Sequence, residues 1–229
     1  MNDNIFEACR EFGVVKLVSC LSTCIFPAAA PNPIDESMIH AGPPHASNEG
    51  YAYAKRMIDV LNRCYAEEYG SHFTAVVPTN IYGPHDNFNI DDGHVIPGLI
   101  HKCFLAQRDG GDFVVWGSGT PLRQFIASSD VAALTVWALR SYDSVEPVIL
   151  APDEADELTI RDVAQLVAEA MGFAGKIVFD ASKADGQHKK TASNARLRSH
   201  LPGYAFKPIR DGVAEAVAWF KANYETARK

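Results

Sequence analysis

Short β-branched runs alternate along this chain with stretches of helical spacing, and that alternation restricts the fold more than any other feature. Val14-Val15-Lys16-Leu17-Val18-Ser19-Cys20 reads as a buried parallel strand. The helix before it, residues 2–12, carries Ile5, Ala8, Cys9 and Phe12 on one face. A Pro/Gly/Asn/Ser-rich loop follows over 22–49, longer than connections usually are in a compact domain. Residues 50–69 place Ala54, Met57, Ile58, Leu61 and Tyr65 at helical intervals, and 73–77 form the next strand. Further on come a helix at 94–107, strands at 112–116 and 123–126, a helix at 129–140 and a strand at 147–150. Thr159, with Asp162 three residues on, caps a helix running to about 172. A strand at 176–180, a short helix at 194–201 and a terminal helix from 208 complete the series. Strands that each lead into a helix predict an α/β protein with a doubly wound, mainly parallel sheet, whose ligands bind at the carboxyl edge. The expected division is a domain over 1–150, with insertions near 90–125, and a smaller α/β lobe over 151–229.

Composition narrows the class. With 47% hydrophobic and 21% charged residues, the 229-residue chain can bury a substantial core. A formal charge of −7 argues against general binding to nucleic acid or anionic membranes. Against that background, Lys183, His188, Lys189, Lys190, Arg196 and Arg198 form a local basic cluster. Five cysteines without a Cys-x-x-Cys spacing, a polar start at Met1–Asn4 and no apolar run of ~20 residues predict a reduced, cytoplasmic protein off the membrane.

Tyr51 and Lys55 lie four apart on a predicted helix and therefore share a face. An ammonium beside a phenol stabilises the phenolate, so the pair suits proton donation to a carbonyl being reduced. Such a spacing also arises by chance. Ser22 and Cys24 follow a strand directly, where small polar groups project into a crevice, and His94 comes downstream. Cys24 and His94 are read as a proton-exchanging pair, as the nucleophile and base of a thiol hydrolase, or as packing and surface residues. Lys102, Arg123, Asp185 and the 183–190 run could bind a phosphorylated ligand, and Trp116 offers a flat face for a ring. A solvated loop over a core tryptophan is the plainer alternative. No ligand spacing for a metal is present. The glycines at 110, 111, 117 and 119 read as turns, since no G-x-G-x-x-G opens a helix there.

Together these segments resemble the extended short-chain dehydrogenase/reductases, and within them the GDP-4-keto-6-deoxy-D-mannose 3,5-epimerase/4-reductases. The resemblance rests on Ser-Thr-Cys-Ile-Phe-Pro at 22–27, Tyr-Ala-Tyr-Ala-Lys-Arg-Met at 51–57 and Pro-Thr-Asn-Ile-Tyr-Gly-Pro-His-Asp-Asn-Phe at 78–88. Gly-His-Val-Ile-Pro-Gly-Leu-Ile at 93–100, Trp-Gly-Ser-Gly-Thr-Pro at 116–121 and Asp-Gly-Gln-His-Lys-Lys at 185–190 extend it over nearly the whole chain. It implies a partial Rossmann-like domain in the first 150 residues, binding NADP(H), and a nucleotide-sugar-binding lobe after it. Cys24 and His94 would be base and acid at C3 and C5 of GDP-4-keto-6-deoxy-D-mannose. Tyr51 would protonate the C4 oxygen as hydride arrives, with Lys55 and Ser22 in support. Cofactor contacts would come from Cys20, Leu21, Ser22, Thr23, Lys55, Pro78, Thr79, Asn80, Ile81 and His94. The GDP-sugar would meet Lys102, Trp116, Arg123, Asp185 and Lys190. Homodimers would pair through helices 2–12 and 50–69.

Members of the family open with a strand and a Gly-x-x-Gly-x-x-Gly turn, which this sequence lacks; roughly three strand–helix units have no counterpart in it. The strand at 14–20 is thereby expected to present an open edge, and cofactor binding and activity to be impaired. A subunit that only pairs with an intact partner, and another nucleotide-sugar epimerase or dehydratase, are the alternative readings.

Overall fold

A computed structural model describes residues 1–229. In chain order the elements are α1 (Asn2–Glu11), β1 (Lys16–Cys20), α2 (Glu49–Tyr69), β2 (His72–Pro78), β3 (Asn80–Tyr82), α3 (Val95–Asp109), β4 (Phe113–Trp116) and β5 (Leu122–Arg123). They continue with β6 (Phe125–Ala127), α4 (Ser128–Ser141), β7 (Val148–Leu150), β8 (Leu158–Thr159), α5 (Ile160–Met171), β9 (Ile177–Asp180), α6 (Ala195–His200) and α7 (Ile209–Ala222). The α/β class with parallel pairing is the expected one. The chain forms two compact units. One compact unit comprises Met1–Thr79, Val131–Asp153 and Ala192–Tyr204; the other comprises Asn80–Asp130, Glu154–Thr191 and Ala205–Lys229. β7 stays with the first unit because it pairs with β2, and 192–204 returns there through Ser193, whose N–H donates to Ile34 O at 2.8 Å.

The first unit is built on a parallel sheet in the order β1-β2-β7. Leu17 lies opposite Phe73, Cys20 opposite Val76 and Pro78 opposite Leu150. β2 is central and buried from Phe73 to Pro78, which is why its sequence reads as one apolar run. β1 is only half-buried and pairs with β2 alone; Val14 and Val15 are exposed before it. Phe6 of α1 is in the core, edge-on to Phe73 at 5.5 Å and to Tyr65 at 5.3 Å. Of the face anticipated on α1, Ile5, Ala8 and Phe12 are exposed and Cys9 packs against the core.

The buried stripe of α2 is also displaced from the expected one. Ala54 and Met57 are exposed, whereas Ala52, Arg56, Asp59 and Asn62 are buried along with Ile58. The cause is the segment 22–48, which packs on that side. It is three short helical turns (Thr23–Ile25, Glu36–Met38, Ala46–Asn48) capped by the side chains of Ser22, Asp35 and His45. Backbone between such turns has no ladder to satisfy it, so α2 supplies partners. Arg56 Nε donates to Ile25 O at 2.5 Å and Nη1 to Gly42 O at 2.7 Å, while Asp59 Oδ2 lies 2.7 Å from His40 Nε2.

The second unit holds three two-stranded pairings: β3 with β6 and β4 with β9, both parallel, and β5 with β8, antiparallel. Its core gathers Tyr82, Phe88, Phe113, Phe125, Val163 and Phe220. Thr159 and Asp162 cap α5 reciprocally, as their spacing predicts. β3 and β8, at two or three residues each, were not anticipated as strands, and the strand expected at 123–126 is divided into β5 and β6.

Candidate active site

Parallel register brings the carboxyl ends of β1, β2 and β7 to one edge of the first unit's sheet. Ser22 leaves β1 extended, and its hydroxyl oxygen accepts the Cys24 N–H at 3.3 Å, which fixes the turn bearing Thr23 and Cys24. The Ser22 O–H is left to donate elsewhere. Lys55 Nζ donates to Cys20 O at 2.7 Å and lies 5.9 Å from the centre of the Tyr51 ring. An ammonium carries three donors, so two remain for a ligand. Tyr51 is half exposed, and Asn48 Nδ2 approaches Cys24 Sγ at 4.0 Å. The structure therefore collects Cys20, Ser22, Thr23, Cys24, Tyr51 and Lys55 around the end of β1. Leu21 is a core side chain whose N–H donates to Val76 O at 2.8 Å, so only its backbone faces a ligand-binding edge. Thr79 follows Pro78 at the end of β2 and is held by Leu150 O, 3.1 Å from its N–H and 3.4 Å from its hydroxyl.

The remaining candidates belong to the second unit. Asn80 and Ile81 are in β3, with Asn80 Nδ2 bonded to Gln124 O at 2.8 Å. A cavity of about 230 Å³ is lined by His94, Lys102, Trp116, Arg123 and Asp185, and by Asp91, which sequence reasoning missed. Lys102 Nζ sits 3.2 Å from the centre of the Trp116 ring, and Lys183 Nζ lies 5.6 Å from it. Burial pulls the Lys102 ammonium down to about 8, with Lys183 adding to the effect and Asp91 and Asp180 opposing it. Lys102 and Trp116 also line an adjoining cavity of about 360 Å³. Arg123 donates to Leu122 O at 2.7 Å and Gln187 O at 2.6 Å; burial lowers its pKa, with Glu157 opposing.

Two candidates have other work or other surroundings. Both Asp185 oxygens are engaged by Ser118, the N–H at 2.7 Å and the hydroxyl at 2.8 Å, so Asp185 closes the 117–119 turn. Gly117 is required beneath it: φ is 87°, and a Cβ would lie 2.3 Å from Asp185 Oδ1. Lys190 is half-buried and does not line the cavity. His94 precedes α3, is exposed at the cavity wall and makes no capping bond with its side chain.

The chain belongs to the NAD dependent epimerase/dehydratase family, whose signature matches residues 1–150. It is similar to the GDP-L-fucose synthase of Dictyostelium discoideum, 62% identical over 229 residues covering 100% of this chain and 72% of the relative. It is 53% identical to a probable GDP-L-fucose synthase of Drosophila melanogaster, covering 100% of this chain and 74% of that one. The crystal structure of a GDP-L-fucose synthetase from Naegleria fowleri bound to NADP superposes with a TM-score of 0.97 at 53% identity, covering 100% of this chain and 73% of that one. The Rossmann-like class expected from the sequence is the fold of that structure.

Proposed function

We propose that the chain carries the chemistry of an NADPH-dependent epimerase/reductase that converts GDP-4-keto-6-deoxy-D-mannose to GDP-L-fucose. The names of its relatives and the NADP bound to the Naegleria protein support the substrate and cofactor. The observation that carries the reading is the cavity itself, where Lys102 lies on the Trp116 ring and His94 and Arg123 share the wall. Such a wall takes an anionic diphosphate with a flat ring attached. The first unit would hold the cofactor and the second the nucleotide sugar.

Lys55 fits the cofactor, since its two uncommitted N–H donors suit ribose hydroxyls at a sheet's carboxyl edge. NADPH, when bound, supplies the hydride delivered to C4. The C4 keto group acidifies the hydrogens at C3 and C5. Cys24 removes a proton as thiolate, and His94 returns one to the opposite face as imidazolium. The Ser22 hydroxyl donates to the C4 oxygen, and Tyr51 gives that oxygen its proton as the C–H bond forms, with the Lys55 charge stabilising the phenolate left behind. Pairing of two copies through α1 and α2 goes with this reading, because Ile5, Phe12, Tyr53 and Met57 are exposed apolar side chains on those helices or just beyond them. Sedimentation as a monomer at micromolar concentration would remove that part. Five free cysteines suit a cytoplasmic location, which fractionation of the source cells checks.

The test is deuterium wash-in at C3 and C5 of GDP-4-keto-6-deoxy-D-mannose in D₂O, followed by NMR with and without NADPH. Wash-in that is abolished by Cys24→Ser, and GDP-L-fucose formation that is abolished by Tyr51→Phe, are expected. Wash-in at the wild-type rate in both Cys24→Ser and His94→Asn would overturn the epimerase assignment.

A further inference from the structure

The short helical turn Ala46–Asn48 runs without a break into α2, and Asn48 stands at the join. Its N–H donates to His45 O at 3.0 Å, and the turn is closed by the His45 ring, whose Nδ1 accepts the Ser47 N–H at 3.2 Å. An asparagine at the start of a helix ordinarily bends its side chain back to accept a free backbone N–H. Asn48 makes no such capping bond. Its Nδ2 is directed instead at Cys24 Sγ, 4.0 Å away and 24 residues earlier in the chain. Along α2, Asn48, Tyr51 and Lys55 fall at i, i+3 and i+7 and therefore share one helix face. Tyr51 and Lys55 have roles in the proposed reaction; Asn48, in the same row, has none.

The backbone around Cys24 is fixed on both sides. Ser22 Oγ accepts the Cys24 N–H at 3.3 Å, and the next carbonyl, Ile25 O, accepts from Arg56 Nε of α2 at 2.5 Å. Those bonds leave the rotation of the thiol about its Cα–Cβ bond undetermined. Asn48 is the hydrogen-bonding neighbour that the sulfur has. A thiol is a weak acceptor, whereas a thiolate draws an N–H donor into a shorter, charge-assisted bond. We propose that Asn48 is a positioning residue for Cys24, its carboxamide N–H donating to the sulfur and aiming it at the substrate, with the contact tightening as the thiol ionises. This deepens the reaction proposed above and rests on Cys24 acting in it as a base. In that step the S–H bond forms as the C–H bond at C3 or C5 breaks, and the electron pair passes to the C4 oxygen. A carboxamide suits the task because it is neutral: it donates to the sulfur without competing for the proton, and a carboxylate in its place would repel the thiolate.

The experiment compares Asn48→Ala and Asn48→Asp with the wild type, all in the full chain. Aspartate keeps the size of asparagine and serves a helix start equally well, but it puts an anion where the donor was. Wash-in at C3 and C5 is expected to slow by about 10–100-fold in Asn48→Ala, the size of one hydrogen bond to a charged group. It should slow further in Asn48→Asp, through kcat rather than KM, while the melting temperature of that variant stays at the wild-type value. A merely structural role reverses the order, with Asn48→Asp at the wild-type rate and only Asn48→Ala impaired; that order, or wild-type rates in both, would overturn the proposal. Alkylation by iodoacetamide gives a readout that needs no turnover, because the thiolate is the reacting form. Peptide mass mapping separates Cys24 from the other four cysteines, with exposed Cys64 as the internal control. In Asn48→Asp the rate at Cys24 should fall several-fold and the rate at Cys64 should hold; an unchanged rate at Cys24 refutes the contact. If Cys24→Ser leaves wash-in intact while alkylation of Cys24 still responds to Asn48→Asp, the reaction assignment fails and the positioning contact stands.

Discussion

Arg56 is the point at which the segment 22–48 is fastened to α2, and its removal can be worked through quantitatively. The side chain is 5% exposed and satisfies two carbonyls, Ile25 O and Gly42 O. A hydrogen bond from a charged donor contributes about 1.5–3 kcal/mol, so the two together amount to roughly 3–6. Against this stands the cost of holding the guanidinium out of water, visible in its lowered pKa and in Nη2, which is buried without a partner. Removing that burden returns about 1–3 kcal/mol. Arg56→Met, which keeps much of the volume but abandons both carbonyls, is therefore expected to lose about 3 kcal/mol. For a chain of this length that is a fall in Tm of about 6–12 °C. Arg56→Lys can reach one carbonyl at a time and should lose roughly half as much. Thermal melting by circular dichroism reads the size, and amide exchange reads the place: protection should fall first over residues 25–43. A melting temperature for Arg56→Met within a degree of wild type would refute the claim that these carbonyls depend on α2.

Other outcomes follow from the same physical features. GDP should bind more weakly as pH rises above about 8, because the Lys102 ammonium loses its charge there, whereas Lys102→Met should bind weakly at every pH; titration calorimetry across pH 6–9.5 checks both. Burial raises the Glu36 carboxyl from its usual 4.5, against the Ile149 N–H and Arg196. The folded chain thus holds that proton more tightly than the unfolded one, and this contribution to stability is lost as pH rises from 4.5 through the raised value. Urea titrations should show that decline in the wild type and not in Glu36→Gln. Gly212→Ala would set a methyl 2.3 Å from the Tyr82 hydroxyl, and Tyr82 is 1% exposed; a loss of about 1–3 kcal/mol is expected by urea denaturation, and none would mean α7 shifts freely.

Much of this architecture is legible in residue order because its signals are local. The capping box at Thr159 and Asp162 and the unbroken apolar run of β2 are each complete within a few residues. The stripe of α2 was misplaced because apolar periodicity does not count Arg56, Asp59 and Asn62, which are buried to serve another segment's backbone. Phe6 was passed over on α1 for the series Ile5, Ala8, Cys9 and Phe12, because a single aromatic seated against Phe73 and Tyr65 leaves no periodic signal. The charge of Asp185 is visible in the sequence, whereas its bond to Ser118, 67 residues away, is not. Asp91 carried one available clue, a run dense in Asp and Asn over 86–92, which is the composition of backbone held by its own side chains.

The division of the chain bears on how it is made. It passes from one unit to the other after Thr79, Asp130, Asp153, Thr191 and Tyr204, so neither unit is a continuous stretch. During synthesis, residues 16–78 leave the ribosome before β7, which pairs with β2, and before Ala192, which bridges to Ile34. The first unit can close only when Tyr204 has left the ribosome, and the second only when α7 has. Folding unit by unit on the ribosome, the usual protection of longer chains, is denied to this one. Until Tyr204 is out, the apolar β1 and β2 depend on chaperones or on speed to be kept from other chains, and ribosome-bound fragments ending before about residue 200 should be protease-sensitive in both units.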